Sequence, residues 1–215
     1  MSVNKISDVP YENIKFGKLR KGIDTYMMST YLQASSEALP EKLFVQTEKM
    51  LIYSSPYNDK NELENYIEMA TEDESMTTMI RKMESHVLDV LKTNIDVWFT
   101  NKDIDDTFLE SGLTSSVLKG NRFRFRIMED VQIYGPNREA KPLEDLKKGS
   151  IVKSIIQMSG LWFTASRWGV TWKVNQIKMN QSNTKKHREC MFPDDDEHDE
   201  YDEDVNVLKV PPSCQ

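Results

Sequence analysis

Apolar residues recur along this chain with two different periods, and the switch between them marks out the elements. The runs TYMMSTYLQ from Thr25, KLFVQTEKMLIYS from Lys42 and LENYIEMAT from Leu63 have the β-branched, aromatic and alternating composition of short strands. Pro40 and the Ser/Pro/Asn cluster around Pro56 separate them. Before them, Tyr11 to Gly22 (YENIKFGKLRKG) reads as an extended basic arm or first strand. Between residues 76 and 95 the period changes. Met76, Met79, Ile80, Met83, Val87, Val90 and Leu91 recur at steps of three and four, which predicts one amphipathic helix. The stretch from Phe99 to Gly120 is polar and mixed, after which strand patterns return in NRFRFRIM, VQIYG, SIVKSIIQM, LWFTAS and WGVTWKVNQIKM. Gly135-Pro136, Gly149, Gly160 and Gly169 are the expected turns. Short strands at regular spacing around one helix predict a mainly β protein, α+β by count, built on a small barrel rather than a parallel α/β sheet. No internal repeat is visible.

At 215 residues and 38% hydrophobic, the chain is long enough for one sizeable core and too short for two. The expectation is a folded domain over residues 1–180 and a disordered acidic tail over 181–215. No apolar run is long enough to cross a bilayer, and the opening MSVNKISDVP has no apolar stretch behind a basic one, so neither export nor membrane insertion is expected. The two cysteines, Cys190 and Cys214, fall near or beyond an acidic run, which points to a reducing compartment, cytosol or nucleus.

The net charge of −7 averages segments of opposite sign. Residues 194–204 (DDDEHDEYDED) hold nine acids and no base, and the eleven residues after them hold only Lys209. Residues 1–110 contain twelve Lys/Arg against twenty Asp/Glu, whereas 111–193 contain fifteen against six. The positive field therefore belongs to the C-terminal half of the folded part, where it can attract polyanions although the whole chain is acidic.

Three patterns carry candidate chemistry. The first is strict alternation in Arg122-Phe123-Arg124-Phe125-Arg126-Ile127, which in a strand puts three guanidinium groups on one face, about 7 Å apart, and three apolar side chains on the other. Three like charges in a row repel unless an anion sits over them; an ordinary solvated face is the competing reading. The second runs from Leu161-Trp162-Phe163 to Arg167-Trp168-Gly169-Val170-Thr171-Trp172-Lys173 and holds three of the four tryptophans with two cations. Bases stack on such rings irrespective of sequence. Core burial competes with stacking for each tryptophan. Trp168, between Arg167 and Gly169 at an expected turn, is the best candidate for exposure, and Phe163 and Val170 read as core. The third is the acidic tail, Asp194, Asp195, Asp196, Glu197, Asp199, Glu200, Asp202, Glu203 and Asp204. A polyanion beside a basic cleft can occupy it until nucleic acid displaces it, then recruit basic partners; plain solvation is the alternative.

Enzyme signals are thin. His86, His187 and His198 support no nucleophile set, and there is no Walker or dinucleotide fingerprint. His187 and Cys190 have the spacing of half a zinc site without a second pair, and the acidic run lacks the rigid scaffold that a nuclease needs to hold Mg²⁺. No cofactor and no metal site are expected.

From Leu143 to Met179, LEDLKKGSIVKSIIQMSGLWFTASRWGVTWKVNQIKM resembles the C-terminal barrel strands of the single-stranded DNA-binding proteins of short-tailed bacteriophages and their relatives in large nucleocytoplasmic DNA viruses. The likeness extends less clearly to Tyr11–Gly22, to LFVQTEKMLIYSSPY and to a helix between strands, about two-thirds of the chain in all. The resemblance implies a five-stranded oligonucleotide/oligosaccharide-binding (OB) barrel with one inserted helix. It also implies cooperative coating of single-stranded DNA in viral-type replication or recombination, in host cytoplasm or nucleus, a homodimer, and a tail that contacts DNA polymerase or helicase. It assigns strand binding to Arg122, Arg124, Arg126, Lys153, Trp162, Arg167, Trp168, Trp172 and Lys173, with Lys15, Lys18, Arg20 and Lys21 as further phosphate contacts. One departure is that the tail continues as VNVLKVPPSCQ, where the family's tails often end in the acids or an aromatic residue. The competing functions are an acidic-tailed interaction or histone-chaperone-like adaptor and an RNA-binding barrel, with a nuclease last.

Overall fold

The structure, a computed structural model, describes residues 2–58, 60, 62–99 and 104–180. The acidic run and the His187/Cys190 pair lie outside these. All described residues belong to one compact unit, Met1–Ser182. In chain order, β1 (Val3–Lys5), β2 (Ile14–Phe16), β3 (Arg20–Lys21), β4 (Tyr26–Leu32), β5 (Leu43–Gln46), β6 (Met50–Ile52) and β7 (Tyr66–Ala70) lead to α1 (Glu74–Thr93), α2 (Ile95–Trp98) and α3 (Asp106–Ser111). Then come β8 (Val117–Leu118), β9 (Arg122–Arg126), β10 (Gln132–Tyr134), β11 (Ala140–Lys141), β12 (Ile151–Phe163) and β13 (Trp168–Met179).

Five of these strands close a ring. β6 pairs with β7, β7 with β9, β9 with β13, β13 with β12, and β12 returns to β6. All contacts are antiparallel except β9–β13. The ring is thus a closed barrel of order first, second, third, fifth, fourth, the arrangement of an OB barrel, and it removes the free edges of its own strands. Further strands extend it: β10 continues the line of β9 along β13, and β4 and β5 lie along the other edge of β12.

The inserted helix is present, displaced by two residues from the expected 76–95. Asp73 caps it by accepting from the Ser75 amide at 2.7 Å, which holds the Asp73 carboxyl below its ordinary value. At the other end the Asn94 side chain donates to the Val90 carbonyl at 2.8 Å. Met76, Met79, Ile80, Met83, Val87 and Leu91 enter the same core as the barrel interior. Two shorter helices follow, α2 just before the stretch from Phe99 to Gly120 that reads as polar and mixed, and α3 within it.

Two of the expected turns are strand interiors. Gly160 lies within β12, at an irregularity where the strand's outer neighbour changes from β5 to β4. A Cβ there would stand 2.4 Å from the Met28 carbonyl oxygen, so glycine permits close approach of two backbones rather than a reversal. Gly169 lies within β13, where a Cβ would meet the Trp162 ring at 2.9 Å and the Thr114 carbonyl at 2.8 Å. The real turn is at 164–167. The Thr164 amide donates to the Arg167 carbonyl at 2.8 Å, and the Arg167 amide to Thr164 Oγ1 at 3.1 Å.

One buried carboxylate ties α1 to the segment before β8. Glu84 accepts from the Ser116 amide and the Ser115 hydroxyl, both at 2.8 Å. Burial pushes its carboxyl above the ordinary glutamate value, against these hydrogen bonds and Arg81, which pull it down. The folded protein therefore binds a proton here at higher pH than the unfolded chain does. Glu84's contribution to stability is smallest above its raised pKa and grows as the pH falls through it. Urea unfolding of the wild type and Glu84→Gln between about pH 7.5 and about pH 5 should show the difference moving in favour of the wild type on acidification. A pH-independent difference would contradict this.

Candidate nucleic-acid interface

Alternation in β9 works as its sequence requires. Phe123 and Phe125 are fully buried and stack at 6.2 Å, so Arg122, Arg124 and Arg126 must point outward. Partner strands bring them their neighbours. On β7, Ile67 and Met69 go inward, leaving Tyr66 and Glu68 on the outer face, with Tyr66 opposite Arg126 and Glu68 opposite Arg124. Glu68 accepts from Arg124 Nη2 at 2.7 Å and from Arg122 Nη1 at 3.3 Å. It is the anion that relieves repulsion between two of the three guanidinium groups. One carboxylate among three guanidinium groups leaves the row cationic, and Arg126 forms no ion pair among the described residues. The Arg122 and Arg124 side chains remain 30% and 54% exposed in these pairs, so both guanidinium groups stay accessible to an anion from solvent. The Arg122 guanidinium also lies 4.5 Å from the centroid of the Tyr53 ring, which Lys148 approaches at 5.5 Å.

The row continues into a groove. Arg126, Arg20, Lys21, Met27, Gly160 and Thr171 line an open cleft of about 290 Å³. Register carries the same outer face on to a tryptophan: Arg20 is opposite Met27, Met27 opposite Trp162, and Trp162 opposite Gly169. On β13, residues 169, 171 and 173 share a face, and Lys173 is opposite Arg126. Trp162 and the arginine row therefore stand on one side of the sheet, about 13 Å apart along β13. Trp162 is half-buried, with its ring over Gly169. Tyr66, at 52% exposure, Tyr53, at 41%, and Met27, at 50%, add accessible rings and a flexible thioether.

Other expected positions lie elsewhere. Trp168 is fully buried, contrary to its expected exposure, because the turn precedes it and it begins the inward pattern of β13. Its Nε1–H donates to the Leu109 carbonyl at 2.8 Å, and its ring stacks on Phe163 at 6.3 Å. Trp172 is also in the core, at 2% exposure. Neither ring can meet a base in this structure. Lys173 does lie on the face of the arginine row, where it pairs with Asp130 at 3.2 Å, whereas Lys153 pairs with Glu48 at 3.1 Å beside a different groove. Arg167 is exposed in the 164–167 turn, and Lys15 and Lys18 are exposed outside the cleft. Tyr53, Tyr66, Glu68 and Met27 were not singled out from sequence. For Tyr66 and Glu68 the available signal was the alternation with Ile67 and Met69.

Among the described residues no cluster of three or more His, Cys, Asp or Glu is placed to hold a metal, and no helix is long and apolar enough to cross a membrane.

The fold and this face define an OB-type barrel with a cationic, ring-bearing outer surface. A family model matches residues 58–196, and the chain belongs to that family, the family of unknown function DUF5871. No curated protein matches. Three solved structures of the single-stranded DNA-binding protein from bacteriophage Enc34 are distant likenesses. The form in complex with ssDNA has a TM-score of 0.42 at 10% identity, covering 77% of this chain and 95% of that one. The C-terminal truncation has a TM-score of 0.42 at 8% identity with the same coverage. The third has 0.41 at 7%, covering 77% and 89%.

The burial of Trp168 makes it a structural residue. Trp168→Phe leaves the Leu109 carbonyl without its donor, at a cost of about 1–3 kcal/mol in unfolding free energy. Urea unfolding measures it; an unchanged stability would contradict the structural role of the indole.

Proposed function

We propose that this protein binds single-stranded DNA stoichiometrically, breaking and making no bond, on the outer face of β7, β9, β12 and β4. The observation that carries this reading is the common face of Arg122, Arg124 and Arg126 with Tyr66, Met27 and Trp162. Phosphates need cations at intervals of an extended backbone, and unpaired bases need flat apolar surface between them. A duplex offers no free base faces to such rings, so the surface favours single strands. Arg20 and Lys21 extend the phosphate contacts from the opposite wall of the cleft. The role is coating of single strands during DNA replication or recombination. In the free protein the acids between 194 and 204 compete for the cations, and in the bound state they are released to basic surfaces of replication partners such as a polymerase or helicase.

Fluorescence titration with poly-dT tests this. Binding should quench tryptophan emission and saturate at a fixed number of nucleotides per protein. Log affinity should fall with log salt at about −0.7 per neutralised phosphate, and Arg126→Ala should reduce that slope by about 0.7. Trp162→Ala should weaken binding by about 1–3 kcal/mol without changing the slope. Absence of saturable binding would remove the function. A preference for RNA of equal length would redirect it to RNA.

A further inference from the structure

A second cationic groove lies on the same sheet, beyond the arginine row. Register places Lys153 opposite Lys178 and Lys178 opposite Tyr134, so the three form one row across β12, β13 and β10. One step along, Ile155, Gln176 and Gln132 form the next row on the same outer face. Arg138, held at a φ of +68° in the turn between β10 and β11, borders an open groove of about 400 Å³ over these rows. Its floor can both stack and hydrogen-bond. Tyr134 is half-buried, and Gln132 Oε1 accepts from Gln176 Nε2 at 2.7 Å and from the Tyr134 hydroxyl at 3.2 Å. Lys153 is shared with Glu48, whereas Arg138 and Lys178 form no ion pair among the described residues.

The groove is continuous with the face already described. β9 and β10 run one after the other along β13, with Arg126 opposite Lys173 and Gln132 opposite Gln176. The irregularity between Ile155 and Ile156 gives β13 one extra residue, Asn175, so Lys173, Gln176 and Lys178 all face outward. From Lys173 to Lys178 is about 17 Å along the strand, a reach of a few nucleotides.

Resting on the single-strand reading above, we infer that this groove is a second subsite for the same strand. Lys178, Arg138 and Lys153 take the phosphates of the segment running on from the arginine row, and a base lies on Tyr134. The full footprint then exceeds that of the β7–β9 face. Short oligomers fill the first subsite alone and longer ones fill both.

Labelled dT oligomers from about four to about twenty nucleotides, and poly-dT for the site size, test this on the full chain. The variant is Tyr134→Ala with Lys178→Glu, and its thermal unfolding is compared with the wild type's. For the wild type, affinity should rise with length and then level off. The variant should bind the shortest oligomer as the wild type does, lose about 5- to 50-fold on the longest, and occlude fewer nucleotides on poly-dT. Arg138→Ala, a milder change at an exposed turn, should show the same pattern with smaller loss. An unchanged length dependence in both variants, with normal wild-type binding, would overturn the second subsite and leave the first intact. Equal loss on short and long oligomers would overturn it too. Failure of the wild type to bind any oligomer would instead remove the single-strand reading itself.

Discussion

The interior of a five-stranded barrel is narrow, and what it can hold dictates what the outside must display. Phe123 and Phe125 fill part of that interior as stacked rings, and the period of two in β9 then leaves Arg122, Arg124 and Arg126 no place but the outer surface. Core and candidate site are two sides of one five-residue strand. Moving the register by one residue would bury three guanidinium groups and expose two phenyl rings, which costs far more than the stability of a domain. The cationic face is therefore locked by hydrophobic burial, and its local electrostatic repulsion is relieved by Glu68 from β7.

The same logic organises the long hairpin β12–β13. β12 reaches four partners, β13, β6, β5 and β4, and it takes the last of them where Gly160 lets the Met28 carbonyl approach within a distance that no side chain tolerates. That crossing brings β4, and through it Arg20 and Met27, to the edge of the barrel beside Trp162. Without it, the N-terminal cations would have no geometric relation to the arginine row, from which just over a hundred residues separate them in sequence. The candidate face is thus a product of the barrel plus one added strand pair.

Much of this was legible in the chain. Strict alternation needs only local information, so β9 and its two faces could be read directly, as could the amphipathic helix and the mainly β class. What depended on distant partners could not. Glu68 sits 54 residues from Arg122, and only strand register reveals that it neutralises part of the row. Trp168 is buried, not exposed, because the glycines on either side of its hairpin are not turn residues. Gly160 and Gly169 in fact make room for packed neighbours, while the turn uses Thr164 and Arg167 with no glycine. The polar stretch that covers Trp168 has no strong period. Its helix α3 is six residues long, and the Trp168 indole donates to its Leu109 carbonyl.

Chemical-shift mapping of the full-length protein with a dT oligomer tests the central claim most directly, since it reads position and not affinity alone. The account requires the largest changes at Tyr66, Arg124, Arg126, Met27 and the Trp162 indole, with the Trp168 and Trp172 indoles unmoved. Changes centred on α1, or on the two buried tryptophans while the arginine row stays silent, would contradict it.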